Sequence, residues 1–95
     1  FIKAWRKICA EKDLKHAVMD ADKLLDAVLS KKGYTGSLGE KLKVAAPLFS
    51  NLDSVWSAHK LRNRMAHELE MRVNESAARA ALSDFERALR DLGLL

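Results

Sequence analysis

Apolar residues recur along this chain at intervals of three and four positions, the spacing that gathers them on one face of an α-helix. β-Branched residues are scarce, and few stretches alternate between apolar and polar as a strand does. The pattern predicts an all-α fold, an antiparallel up-and-down bundle of four to five helices joined by short loops. The predicted helices span residues 1–10, 14–32, 38–46, 52–71 and 75–92.

Residues that favour helix ends support these boundaries. Asp13 and Asn74 each precede an apolar stripe and are predicted N-caps, and Ser37 and Glu40 have the spacing of a capping box. Gly33 follows a stripe that ends in lysines, as expected of a residue just past a helix. Pro47 is predicted to end or kink the third helix. Ser50 or Asn51 is predicted to cap the fourth helix, and Gly93 to stop the last one.

Side chains able to do chemistry crowd into one stretch, residues 59–68, inside the predicted fourth helix. With about 3.6 residues per turn, His59, Asn63 and His67 fall on successive turns of one face, with Arg62 beside Asn63. A helix that interrupts its buried face with such residues needs a reason, because unpaired buried polar groups are costly. The apolar residues that lead into and out of the same stripe are Leu52, Val55, Trp56, Ala66 and Leu69.

Within this stretch, Arg62-Asn63-Arg64-Met65-Ala66-His67 resembles the motif of HEPN domains. In that family an arginine is followed by a polar residue, usually asparagine, and a gap of four to six residues separates the arginine from a histidine. HEPN domains are helical bundles with the motif on a late helix, which agrees with the periodicity. The resemblance covers most of the chain in architecture and six residues in chemistry, and it implies a single HEPN-like helical domain over residues 1–95.

The resemblance implies a metal-independent endoribonuclease. HEPN ribonucleases cut RNA by attack of its 2′-OH, leave a 2′,3′-cyclic phosphate, and are typically homodimers with a composite cleft between the motif helices. On this basis Arg62, Asn63 and His67 are the expected catalytic residues, and His59 and Arg64 are expected to bind substrate. The expected partners are RNA, a second copy of the chain and, as a candidate, an antitoxin protein; no cofactor is expected.

The residue types suit this chemistry. A histidine titrates near neutral pH and can move a proton from a ribose hydroxyl or to a leaving oxygen, while arginine offers a fixed pair of donors to a phosphate that gains charge. Asn63, one turn before His67, can orient its ring or bind phosphate. Arg62 and His67 lie about 140° apart around an ideal helix and about 7.5 Å apart along it. Two copies packed about a twofold axis would more easily aim both at one point.

Three aspartates of the second predicted helix have two interpretations. Asp20, Asp22 and Asp26 are spread around that helix rather than gathered for a metal ion, so a solvated face is the favoured interpretation. In the alternative, one carboxylate, with Asp22 as the candidate, turns inward to support Arg62 or a histidine.

The remaining histidine patterns do not predict a metal site. His67-Glu68 begins like the zinc motif H-E-x-x-H, but residue 71 is methionine, so the second ligand is missing. His16 lies on a polar part of its helix and is expected at the surface.

Composition sets broad limits. The net charge of +4 is compatible with RNA or another polyanion, but the basic excess is not concentrated in one segment. The longest uncharged run, residues 44–52, is far shorter than the roughly 20 residues of a membrane helix.

A lone cysteine, Cys9, suits a reducing compartment, so we expect a cytoplasmic location. We expect the Cys9 side chain to pack in the core. The chain begins at Phe1 rather than Met, which leaves open an upstream segment, including an anchor.

A non-catalytic interpretation stands beside the nuclease. His59, Arg62, Asn63 and His67 can form a buried polar network that locks the packing of the helices or of a dimer. The chain would then be an HEPN-like RNA-binding or assembly module.

Overall fold

Five α-helices make up most of the chain in the computed structural model, which describes residues 1–68 and 72–95. No residue in these two ranges is in a β-strand, and the predicted all-α bundle is confirmed. No helix in them is both long enough and apolar enough to cross a bilayer. The helices are α1 (Ile2–Ala10), α2 (Leu14–Lys31), α3 (Leu38–Val44), α4 (Leu52–His67) and α5 (Glu75–Asp91), with a 3-10 turn at Ala46–Leu48 between α3 and α4.

The predicted caps close these helices. The side chains of Asp13, Asn51 and Asn74 each accept a hydrogen bond from the backbone N–H three residues later, so Asn51 rather than Ser50 caps α4. Ser37 and Glu40 form the reciprocal bonds of a capping box at the start of α3. The glycines that follow α2 and α5 have positive φ angles, as the residue after a helix often requires: Gly33 at +100° and Gly93 at +83°.

Two helices end earlier than predicted. α3 ends at Val44 instead of near residue 46, and Pro47 lies in the 3-10 turn that follows, because proline has no N–H to continue an α-helix. α4 ends at His67, and Glu68 already has an extended backbone. The remainder of that predicted helix, residues 69–71, lies outside the described residues.

α2 is the central helix of the bundle and packs against α1, α3, α4 and α5. Phe85 and Leu89 of α5 are fully buried in the same core. Ala21 on α2 and Ala58 on α4 are also buried, and such small side chains allow two helices to approach closely. The buried apolar face of α2 consists of Ala17, Val18, Ala21, Leu24, Leu25, Val28 and Leu29.

α4 turns one narrow apolar stripe toward the core, and the stripe differs from the predicted one. Ala66 was expected on it and is exposed, because burial of Met65 rotates the next residue about 100° toward solvent. Leu69, also expected there, lies outside the described residues. Polar side chains beside the stripe consequently lie along the seam between α4 and α2. The buried residues of α4 are Val55, Ala58, Leu61 and Met65.

A buried lysine fastens α3 to α2. The side chain of Lys41 is 6% exposed, and its Nζ donates hydrogen bonds to Asp26 Oδ1 at 2.6 Å and to the Ser30 hydroxyl at 2.5 Å. A buried ammonium group requires such partners. Asp26 is thereby engaged in packing, whereas Asp20 pairs at the surface with His16, which is exposed as predicted.

Cys9 is exposed, and the prediction that it packs in the core was wrong. α1 buries Trp5 and Ile8, which are three residues apart on its inner face. Cys9 follows Ile8 by about 100° around the helix and therefore lies off that face.

Cys9 should react with a thiol reagent in the folded protein. Partial burial, together with the nearby Glu86 carboxylate, raises the pKa of the Cys9 thiol above its ordinary value. Because the thiolate is the reacting species, labelling at neutral pH should be slower than for an ordinary free thiol and should accelerate as the pH rises. A chromogenic disulfide should label one thiol per chain while the helical circular dichroism signal stays constant. Labelling that required denaturant would contradict the exposure of Cys9.

Candidate functional site

Asp22 of α2 and His59 of α4 meet across the seam between their helices. Asp22 is 5% exposed, and its Oδ2 lies 2.7 Å from His59 Nδ1. A carboxylate oxygen only accepts, so His59 donates from Nδ1. Asp22 thus departs from the solvated face favoured for the three aspartates, because it lies four residues after the buried Val18 and three before the buried Leu25 and so shares their face of α2.

Arg62 and Asn63 extend this pair into a closed circuit, and we call Asp22, His59, Arg62 and Asn63 the polar ring. Arg62 Nη1 donates to Asn63 Oδ1 at 3.1 Å, and Asn63 Nδ2 lies 3.5 Å from His59 Nε2. Arg62 Nε lies 3.5 Å from Asp22 Oδ1, which is the distance of an ion pair. Among the described residues, no acceptor is aligned to form a hydrogen bond with this Nε–H. The circuit therefore consists of two short contacts and two longer ones.

Trp56 covers one side of His59. The two rings are in an edge-to-face arrangement with their centroids 6.0 Å apart. Trp56 also reaches α3, since a Cβ atom placed on Gly39 would lie 3.4 Å from its ring. Sequence analysis placed Trp56 in the apolar stripe and missed this contact. The three-residue spacing between Trp56 and His59 was the available signal, because residues so spaced are neighbours on a helix surface.

His67 and Arg64 lie apart from the polar ring. His67 is the last residue of α4 and is exposed, and Arg64 is exposed one turn before the helix ends. Asn63 was expected to orient His67 or bind phosphate; its side chain instead contacts Arg62 and His59. The six residues of the motif therefore divide into an anchored group, which holds Arg62 and Asn63, and an exposed end that carries His67.

Burial separates the roles that these side chains can have. The side chain of His59 is 12% exposed, and both of its ring nitrogens face protein groups, so it is poorly placed for the predicted substrate binding. The side chain of Arg62 is 33% exposed although its Nε is buried. Arg62 is therefore held at Nε and Nη1, while part of its side chain remains exposed.

A groove runs along α2 beside Arg62. Three basic side chains and His16 line it, but four aspartates do so as well, so its charge does not favour a polyanion. Arg62 lies at one edge of this groove, and a phosphate would have to reach it away from the carboxylates. The charged residues that line the groove are Lys15, Lys23, Arg62, Asp13, Asp20, Asp22 and Asp26.

In ranges 1–68 and 72–95, no group of three or more His, Cys, Asp or Glu side chains is arranged to hold a metal ion. Neither a family model, nor a curated protein, nor a solved structure matches this chain.

Proposed function

We propose that this chain is a metal-independent endoribonuclease of HEPN type that acts as a homodimer. The observation that carries the proposal is the state of Arg62, which is anchored beside Asp22 and Asn63 while a third of its side chain remains exposed. A donor group that is already fixed before the substrate arrives stabilises developing charge without reorganising in the transition state.

The proposed reaction is an in-line transfer within the RNA backbone. A base removes the proton from a ribose 2′-OH, the O2′–P bond forms, and the bond from phosphorus to the 5′ oxygen of the next nucleotide breaks. The leaving oxygen takes up a proton, and the product carries a 2′,3′-cyclic phosphate. His67 is the proposed proton carrier, and Arg62 neutralises the charge that gathers on the phosphate oxygens.

A homodimer would bring these two groups together. Arg62 and His67 are about 7.5 Å apart along one helix and about 140° apart around it, so a single copy does not easily direct both at one phosphate. We propose a twofold interface between two copies of α4, in which Arg62 of one protomer lies near His67 of its partner. The exposure of Arg64 and His67 at the end of α4 supports such a contact.

RNA would approach from the outer side of α4 and not along α2. Lys60, Arg64 and His67 are exposed on α4, and Arg72 is exposed shortly after it. The groove on the α2 side carries four carboxylates and three basic side chains, so its charge does not favour a phosphate backbone. Arg64 is the proposed phosphate contact.

A cytoplasmic location and an antitoxin partner belong to the same proposal. The cytoplasm is proposed because a lone cysteine suits a reducing compartment.

A second candidate function, a non-catalytic RNA-binding or assembly module, is favoured by a different observation. The 2.7 Å contact between the buried Asp22 and His59 joins α2 to α4, as a packing device would. In that case the polar ring locks the position of α4, and Arg62 contributes to stability or assembly.

The experiment that tests the proposed function is incubation of the purified chain with RNA in the presence of EDTA. We expect cleavage at an unchanged rate with the chelator, fragments that end in a 2′,3′-cyclic phosphate, and intact DNA of the same sequence, because deoxyribose lacks the attacking hydroxyl. Mass spectrometry of the fragments identifies the termini. An absolute requirement for Mg²⁺, or products ending in a 3′-hydroxyl, would refute the mechanism, and RNA binding without cleavage would favour the module.

A further inference from the structure

The hydrogen-bonding roles in the polar ring are fixed by chemistry. A guanidinium group only donates, so the Asn63 atom at 3.1 Å from Arg62 Nη1 is the amide oxygen. The carboxylate of Asp22 only accepts, so the proton of His59 resides on Nδ1. These two constraints are independent, since one comes from the Arg62 guanidinium group and the other from the Asp22 carboxylate.

The same constraints meet at the contact between Asn63 and His59. With its oxygen directed at Arg62, Asn63 presents its NH₂ group to His59. With its Nδ1 proton donated to Asp22, a neutral His59 presents an acceptor at Nε2. A donor therefore faces an acceptor at 3.5 Å, and every contact of the circuit is consistent with a single set of roles.

We infer that His59 is a positioning residue for Arg62, acting through the amide of Asn63, with Asp22 as the group that orients the His59 ring. The inference rests on the proposed function, in which Arg62 acts on the phosphate. Without the acceptor at His59 Nε2, the NH₂ group of Asn63 loses its contact, and Arg62 alone then holds the amide. The amide oxygen would be less firmly fixed, and so would the guanidinium group that donates to it.

The closed environment of His59 supports positioning over contact with RNA. Its side chain is 12% exposed, and Trp56 covers one edge of the ring. A residue so enclosed acts on the substrate only through its neighbours. Small displacements matter here, because a misplacement of about 1 Å in a positioned group can cost about 100-fold in rate.

Two substitutions of His59 test the roles of its two ring nitrogens separately. In His59→Asn, the side-chain amide can still donate to Asp22 from the place of Nδ1 but leaves nothing at the place of Nε2. In His59→Gln, the longer amide restores an acceptor for Asn63. We expect His59→Asn to lower kcat about tenfold with little change in KM, and His59→Gln to recover part of the loss. His16→Asn, at the exposed histidine of α2, is the matched control and should leave kcat unchanged.

A second measurement does not depend on cleavage. Rotation of the Arg62 guanidinium group can be followed by ¹⁵N nuclear magnetic resonance of its Nη atoms. We expect restricted rotation in the wild type and in His59→Gln, and free rotation in His59→Asn. Unchanged rotation in His59→Asn would overturn the inference, as would an unchanged kcat in a variant whose rotation is freed. If no variant or wild type cuts RNA, the proposed function fails, while the rotation still decides whether His59 positions Arg62.

Discussion

The His67→Ala protein should cut RNA about 100- to 10,000-fold more slowly than the wild type, the usual contribution of a positioned acid or base. His67 is exposed at the last residue of α4 and is not part of the buried core, so the thermal midpoint should change little. The measurement is a cleavage time course with a fluorescent RNA, together with a thermal melt.

Arg62→Lys is the informative partner of this variant. Lysine keeps the positive charge but replaces the planar pair of donors with a single ammonium group, so a large part of the rate should be lost. Asn63→Ala should have a milder effect, because it removes a contact to Arg62 and leaves the guanidinium group present. A rate in Arg62→Lys equal to the wild type would mean that charge alone suffices.

Mixed dimers test whether the site is shared between protomers. Neither Arg62→Ala nor His67→Ala alone should be active, but a heterodimer of the two contains one site with both groups intact. With free exchange of protomers, half of the dimers are mixed and each has one working site, so about a quarter of the wild-type activity should return. No recovery despite verified mixing would mean that each protomer carries its own site. Undiminished cleavage by His67→Ala would end the proposed mechanism, and a weaker dimer in Arg62→Ala without any cleavage would favour the assembly module.

The elements of the fold were predictable because their determinants are local. The caps at Asp13, Ser37 and Asn74 act on N–H groups three residues away, and the apolar stripe of α2 spans only neighbouring turns. Where a prediction depended on which face the core would select, it was less accurate. Cys9 and Ala66 each lie one residue beyond a buried position, and a shift of 100° exposed them both.

The site was only partly predictable, because its key contacts join residues far apart in the chain. Periodicity grouped His59, Arg62 and Asn63, and the structure brings these three together. Sequence alone offered three aspartates as partners, and only the packing of α2 on α4 distinguishes Asp22 from Asp26, which binds Lys41. Lys41 itself gave no signal, because a lysine in a short helix is ordinarily exposed.

Loss of the Asp22 carboxylate should be among the most destabilising changes to a polar residue of this chain. Asp22→Ala leaves the His59 Nδ1–H without its acceptor and the buried Nε of Arg62 without its counterion. We expect the free energy of unfolding to fall by about 2–3 kcal/mol, the cost of leaving such buried donors without partners. The loss should not exceed this range, because Arg62 keeps some access to water. Urea denaturation followed by circular dichroism measures the change in the free energy of unfolding.

Asp20→Ala is the matched control for Asp22→Ala. Both aspartates lie on α2, so the gain in helix propensity from alanine is the same and cancels in the comparison. Among the described residues, Asp20 forms an ion pair with the exposed His16 at 3.6 Å, and such surface pairs contribute about 0–1 kcal/mol. The difference between the two variants therefore isolates the polar ring. Equal stabilities would mean that solvent replaces the Asp22 contacts at no cost.

The Asp22 variants also bear on which function the ring serves. Asp22→Asn retains an oxygen of nearly the same shape but lacks the negative charge, so part of the stability should return, while Arg62 would have lost its counterion. If Arg62 acts on a phosphate, the stable Asp22→Asn protein should still cut RNA more slowly than the wild type, because its arginine is less well fixed. If the ring serves packing alone, stability and assembly should change together and no rate should depend on it. An Asp22→Asn protein with wild-type stability and wild-type cleavage would contradict both the packing role and the positioning role of Asp22. Neither the fold nor the chemistry would then need the negative charge of its carboxylate.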